Sequence, residues 1–324
     1  MVAWLSIIAS TSLVIGKTYV GFKIGSVAIL SEAIHSTIDL LAAMIALYAV
    51  TKSQIPADDD HPFGHGKFEN LSGMIEAVLI FIAAFWILYE ALHKLLDGTP
   101  MPELELGLGI GIMLASSMVN LVVAKLLFRI AKKSDSIALE ADGMHLLTDV
   151  YTSLGVVVGL LLILLGERLW PSLNWHWLDP MAAIVVALMI LKAAYDLTKK
   201  SLRDLLDTGL PEEETSWLHQ YTSKLHYRFP EIHSIHRIRT RKSGAERFID
   251  FHLVVAPEVT VANSHHLTDV LCEEIKQKFP SANIMIHVEP CDMECSEHCL
   301  SGCFEKLKMT ERKESREKKR EIKE

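Results

Sequence analysis

The stretches ILSEAIHSTIDLLAAMIALYAV (residues 29–50) and ADGMHLLTDVYTSLGVVVGLLLILL (residues 141–165) decide the fold. Each is an apolar run of membrane-spanning length that carries one histidine and one aspartate four positions apart. On an α-helix, residues four apart share a face, so His35 and Asp39 point one way, and His145 and Asp149 do the same. Ionisable groups in hydrocarbon are costly and generally face a pathway or a partner. Two such helices facing each other offer two nitrogens and two carboxylates to one ion, a tetrahedral Zn2+ ligand set. The plainer reading, two polar pairs each satisfied within its own bundle, does not account for the matched spacing.

Working outward, the chain has 324 residues, 50% of them hydrophobic, but the apolar runs stop after roughly the first 200 positions. Six spans can be drawn, at about 2–24, 26–50, 69–96, 104–131, 138–166 and 178–200, each long enough for a bilayer core at the helical rise. They are rich in Leu, Ile, Val and Ala with internal Gly, as suits helices packed closely in lipid. The alternating strands that a barrel needs are absent. The first run, WLSIIASTSLVIGKTYVGFKIGS, lacks a charged leader and cleavage site and reads as a retained span, with Lys17 facing the bundle or a wet cavity.

Lys52, Lys67, Arg129, Lys132, Lys133, Lys199, Lys200 and Arg203 fall on one side of these spans, against Lys23, Lys94 and Arg168 on the other. The positive-inside rule therefore predicts an integral membrane protein with both termini in the cytoplasm. Trp170, Trp175 and Trp177 precede the sixth span, where an interfacial belt is expected. A net charge of −8 argues against nucleic acid as a partner, and no phosphate-binding Gly-rich loop points to ATP.

After Asp207-Thr-Gly-Leu-Pro the pattern changes to that of a soluble domain. Glu212-Glu213-Glu214 open a helix expected to run to Phe229 and stop at Pro230. SIHRIRTRK and ERFIDFHLVVA alternate as strands around a Ser243-Gly244 hairpin turn; a second helix, SHHLTDVLCEEIKQKF, leads into the strand NIMIHVEP. The order αββαβ predicts helices on a small mixed sheet, an α+β unit of ferredoxin-like or metallochaperone-like type. The expected domains are 1–206 (transmembrane), 207–290 (cytoplasmic) and 291–324, a Cys-containing tail that becomes almost wholly charged from Lys306.

Three further clusters carry metal-ligating chemistry. The loop ADDDHPFGHGKFEN places Asp58, Asp59 and Asp60 beside His61 and His65, with Pro62 to stiffen it and Gly64 to pivot; its alternative is a plain polar loop. His236, His252, His265, His266 and His287 lie on or beside the soluble strands and second helix, and Glu289 shares a strand face with His287. An isolated strand histidine is usually structural, but so many on neighbouring elements point to a metal site. Finally, Cys291, Cys295, Cys299 and Cys303, with His298 between them, form a stripe if helical. Such thiolates suit Zn2+ or Cu+, although the spacing is not that of a zinc knuckle and packing against the domain is the competing reading. With Cys272 the cysteines number five, which fits reduced thiols better than a disulfide framework.

The six spans, the paired H-x3-D motifs, the HPFGHGKFE loop and the αββαβ domain together resemble the cation diffusion facilitators, dimeric zinc-exporting proton antiporters. The resemblance implies that His35, Asp39, His145 and Asp149 form the transport site and that Asp58, His61 and His65 form a loop site. It also implies a binuclear cytoplasmic site of His236, His252, His265, His287 and Glu289, and a charge interlock of Lys67 and Asp207 that holds a homodimer together. Bacterial relatives often carry Asp or Tyr where this chain has His35, and Asp where it has Glu289. The expected function is Zn2+ efflux by proton antiport across the cell (inner) membrane, with Zn2+ as substrate and regulatory ligand, no organic cofactor and no enzymatic chemistry. The alternatives are efflux of Cd2+, Fe2+ or Mn2+, a channel, or a membrane-bound metal sensor that moves no ion.

Overall fold

A computed structural model describes residues 2–24, 27–97, 106–169 and 177–292, and the chain divides into two compact units, Met1–Leu206 and Asp207–Glu324. The first unit is helical: α1 (Val2–Ile24), α2 (Val27–Ser53), α3 (Lys67–Asp97), α4 (Leu106–Ser134), α5 (Ile137–Leu169) and α6 (Leu178–Leu205). Among the described residues, Ala33–Ser53, Lys67–His93, Leu114–Ser134 and Pro180–Leu205 are long and apolar enough to cross a membrane, and α1 adds a shorter apolar stretch, Trp4–Val20.

Small side chains let these helices approach closely. Ala42, Ala43 and Ala46 of α2, Ala77 and Ala84 of α3, Ala138 and Ala141 of α5, and Ala187 and Ala194 of α6 are all fully buried. A Cβ added at Gly73 would stand 2.7 Å from Ser201 Oγ and 2.8 Å from the Ile137 side chain, so glycine is required where α3 meets α5 and α6. Large apolar groups such as Ile34, Phe85, Trp86, Met118 and Leu188 instead face outward, as a lipid-exposed surface demands.

A polar junction ties one end of this bundle together. The Glu69 carboxylate, at the start of α3, accepts from Ser53 Oγ at the end of α2 (2.8 Å) and from Ser136 Oγ just before α5. Ser136 Oγ in turn accepts from the Leu139 amide in the first turn of α5, and Asn70 donates to Asp204 of α6 at 3.1 Å. At this junction the buried polar groups satisfy one another, as a water-poor interior requires.

In the second unit, β1 (Ile232–Ser243), β2 (Glu246–Val255) and β3 (Ala282–Pro290) form one sheet in the order β1-β2-β3, antiparallel between the first two and parallel between the last two. The hairpin turns at Gly244, whose φ of 58° favours a residue without a Cβ. The helices are α7 (Glu212–Ser223), α8 (Leu225–Arg228) and α9 (Val261–Lys278). The helix expected to run unbroken to Phe229 is therefore two, because the Lys224 amide bonds back three residues to Tyr221 O and tightens the chain out of the α-helical path.

The core of this unit gathers Leu218 and Leu225, Ile249, Phe251 and Leu253 of β2, and Leu267, Leu271 and Ile275 of α9. Alternation along β2 puts Phe251 and Leu253 into that core and turns His252 to the opposite face. Two charged clamps brace the helices: Arg247 grips Glu214 of α7 at 2.7 and 2.8 Å, and Arg228 grips Glu274 of α9 at 2.6 and 2.9 Å.

Candidate metal centres

The helical unit brings His35, Asp39, His145 and Asp149 together by cross-pairing. His35 Nε2 of α2 lies 3.4 Å from Asp149 Oδ1 of α5, and His145 Nε2 of α5 lies 3.2 Å from Asp39 Oδ1 of α2. Each imidazole thus faces the carboxylate of the other helix rather than the one four residues along its own. Ligating atoms of His35, Asp39 and Asp149 all fall within 4.8 Å of one another, close enough to share one ion, and His145 reaches the group through Asp39. Nitrogen and carboxylate donors at this spacing are chemistry for a borderline divalent cation.

A cavity of about 390 Å³ opens on His35, Asp39 and Asp149. Its walls include Glu90 of α3, Pro180 and Ala183 of α6, and Lys17 of α1, so it extends toward the end of the bundle at which α1, α3 and α5 finish. The other half is filled by buried groups, among them Ala46, Leu127, Ile137, Leu139 and Leu197. Asn120 of α4, which the spacing argument passed over, donates to Asp149 Oδ2 at 3.3 Å and orients that carboxylate. Glu90, and the deeply buried Glu76 and Asp142, were passed over as well. The available signal was the general one that a polar residue inside an apolar span needs a reason.

In the loop after α2, Asp58 Oδ1 accepts from the His61 amide at 2.6 Å and sits 3.3 Å from His61 Nδ1, while Oδ2 lies 3.5 Å from His65 Nε2. Gly64, at φ 77°, makes the turn that brings the two imidazole centroids to 4.2 Å, with their planes tilted by 39°. The His61 amide hydrogen bond, followed by the nearby imidazoles, holds the Asp58 carboxyl below its usual range. Asp58, His61 and His65 can share one ion.

The sheet builds the third cluster. Its register sets His236 of β1 opposite His252 of β2, and His252 beside His287 of β3, so three imidazoles form a row on the face away from the core. A bulge after His236, with Arg237 at φ 51°, bends β1 at this point. Glu289 closes the group: its carboxylate lies 2.7 Å from His252 Nδ1, 3.3 Å from His236 Nε2 and 3.5 Å from His287 Nε2. The His252 hydrogen bond first, then the field of the three imidazoles, pulls the Glu289 carboxyl below its ordinary value.

His265 is not brought into this row. It is exposed on the first turns of α9, and its imidazole lies 3.8 Å from Asp269, one turn along the same helix. Helix α9 packs on the sheet through Leu267, Leu271 and Ile275, which leaves position 265 on its outer face. Cys291 is half-buried, and its amide donates to Val255 O at 2.8 Å; Cys295, Cys299 and Cys303 lie outside the described residues, as do His298, Trp170 and Trp175. Lys67 Nζ donates to Leu205 O at 3.4 Å within the helical unit, and Asp207 pairs with Arg241 at 3.4 Å within the other.

Residues 3–206 match the cation efflux transmembrane domain, and residues 220–291 match the cytoplasmic domain of cation efflux proteins. The chain belongs to the cation diffusion facilitator family. It is a cation efflux transporter and an integral membrane protein. It is similar to an uncharacterised transporter, sll1263, of Synechocystis sp., with 37% identity over 82% of each chain. It is similar also to the cation-efflux pump FieF of Salmonella typhimurium, with 29% identity over 88% of this facilitator and 90% of the pump. Among solved structures, the metal-bound C-terminal domain of the CzcD transporter from Thermotoga maritima matches at 31% identity and a TM-score of 0.21, over 23% of this chain and 91% of that one.

Proposed function

We propose that this facilitator exports Zn2+ in exchange for protons, with His35, Asp39, His145 and Asp149 as the transport ligands. The observation that carries the reading is the cross-pairing of α2 and α5, which joins two imidazoles and two carboxylates at 3.2 and 3.4 Å. Each imidazole ordinarily titrates near pH 6.5, so protons compete with the metal for the same nitrogens at working pH. Zn2+ arrives from the cytoplasm, sheds water onto these ligands, and is displaced by protons once the bundle faces outward.

The charge pattern of the loops supports cytoplasmic termini in a cell (inner) membrane. On that orientation the cavity beside the four ligands extends away from the cytoplasm, in keeping with a releasing conformation. Residues 1–206 then carry the ion, 207–290 sense it through His236, His252, His287 and Glu289, and 291–324 form a tail. His265 would join that site only from a rearranged α9. The loop site of Asp58, His61 and His65 would capture ions at the cytoplasmic mouth. A homodimer, interlocked through Lys67 and Asp207, is the working assembly.

Zinc uptake into proteoliposomes under an imposed pH gradient tests the reading. A proton gradient opposing the zinc flow should accelerate it, and collapse of that gradient should slow it. Flux indifferent to the gradient would indicate a channel, and zinc binding without flux a sensor. Running Cd2+, Fe2+ and Mn2+ in the same preparation fixes the substrate.

A further inference from the structure

The transport reading leaves two charged groups in the cavity without a role. Lys17 of α1 is only 6% exposed, and its Nζ donates at 2.9 Å to Ser36 Oγ, the residue next to His35. Glu90 of α3 lines the same cavity, together with His35, Asp39 and Asp149. Lysines near a bilayer usually extend along apolar surface to place the ammonium in headgroups. This one stays inside the bundle, among the residues that would hold the ion.

Formal charge shows what the pair does. Among the described residues that line the cavity, Asp39, Asp149 and the more exposed Glu90 bring three negative charges and Lys17 one positive charge, a formal −2 with neutral imidazoles. One divalent cation neutralises that, whereas without Lys17 the same residues would hold −3 and attract the ion more strongly. In an environment poorer in water than bulk solvent, one such charge matters at cavity distances. We propose that Lys17 is a tethered cation that weakens divalent-ion affinity and speeds release, and that Glu90 is the carboxylate that offsets it.

The inference rests on the four-ligand reading, and kinetics of Zn2+ flux by the full chain in proteoliposomes separate the two. Lys17→Met should lower KM by about tenfold and lower kcat with it, because tighter ground-state binding slows release. Glu90→Gln should raise KM by a similar factor, the double variant should return near the parent value, and Lys17→Arg, which keeps the charge, should behave as the parent. Slowing of a later step can by itself lower KM along with kcat, so the Zn2+ dissociation constant of the purified full chain is measured at equilibrium alongside: a fall of about tenfold in Lys17→Met supports the charge role, and an unchanged constant overturns it. An unchanged or raised KM in Lys17→Met overturns the proposal. Should that variant fail to insert, an unchanged KM in Glu90→Gln does so alone. Asp149→Ala in parallel reports on the ligand set: if it transports normally, the four-ligand reading falls. If it is dead while both charge variants keep the parent KM, only the charge-balance proposal falls.

Discussion

The helical unit and the strand unit each gather histidines around carboxylates, but they hold them by different means. In the bundle, the ligands sit on two separate helices, so a rocking of α2 against α5 would separate His35 from Asp149 and Asp39 from His145 together. In the sheet, His236, His252 and His287 stand on directly paired strands fixed by backbone hydrogen bonds, and one carboxylate, Glu289, reaches all three. The first arrangement suits a site that must be made and unmade, the second a site that stays formed and reports occupancy.

The largest effect is expected at Asp149. Asp149→Ala removes a carboxylate that accepts from Asn120 and faces His35, and it leaves the apolar pattern of α5 intact. Outer partners of metal ligands alone are worth about 10–100-fold, so loss of a ligand should reduce zinc flux by at least about a hundredfold while the protein still inserts. Zinc flux at the parent rate from the purified variant would break the comparison at its root.

Replacing both His252 and His287 by Ala should give the opposite profile. Zinc bound per chain, measured by equilibrium binding, should fall by the contribution of the sheet cluster. Flux should stay within about tenfold of the parent, because a regulatory site shifts a conformational balance and does not carry the ion. Flux as low as that of Asp149→Ala would mean that the sheet cluster lies on the transport route.

How much of this was legible beforehand differs between the two units for the same reason. The six helices follow from the length of the apolar runs and the αββαβ order from periodicity, both of which the chain displays directly, and the HxxxD spacing marks a shared face. Spacing along one helix says nothing of which partner is met across the interface. The pairing of His35 with Asp149, not Asp39, needed the three-dimensional packing. Asn120, Glu90, Glu76 and Asp142 carry no mutual spacing at all; each is one polar residue on its own turn, made significant only by what surrounds it. In the sheet, period-two alternation put His287 and Glu289 on one face, and the register added His236 and His252 to the same row. His265 could not be separated from them by sequence, because its distance from the cluster depends on how α9 lies over the sheet.

A smaller effect is expected from His35→Asp, which keeps the site and changes its reach. An imidazole offers one directed nitrogen, whereas a carboxylate binds through one or two oxygens and accommodates a larger ion. Zn2+ favours the compact set and Cd2+ gains when coordination expands. The Cd2+/Zn2+ flux ratio should therefore rise several-fold in the variant, and its pH dependence should flatten across about pH 6 to 8 because one titrating imidazole is gone. Equal ratios in the two forms would show that His35 does not select the ion.

The smallest effect concerns how the sheet cluster is kept formed. Glu274 of α9 receives both Arg228 guanidinium bonds and the Tyr221 hydroxyl at 2.8 Å, and the Arg228 bonds above all hold its carboxyl below the usual value. A carboxylate whose folded pKa is depressed adds stability above its unfolded pKa, and that contribution is lost as pH falls through the folded value. Glu274→Gln keeps an acceptor for Tyr221 but removes the charge facing Arg228. Near pH 7 the variant should lose a modest amount of stability in the strand unit, since Arg228 is half exposed and water screens the pair. The difference from the parent should shrink as pH drops from about 5 toward about 3, where Glu274 of the parent is itself neutralised. The check is the denaturant midpoint of this unit, read from amide exchange along α9, at neutral and acid pH. A deficit that stays constant with pH would mean that the side chain acts by packing rather than charge. The ion pair would then have no part in holding α9 over the strands that carry His252 and His287.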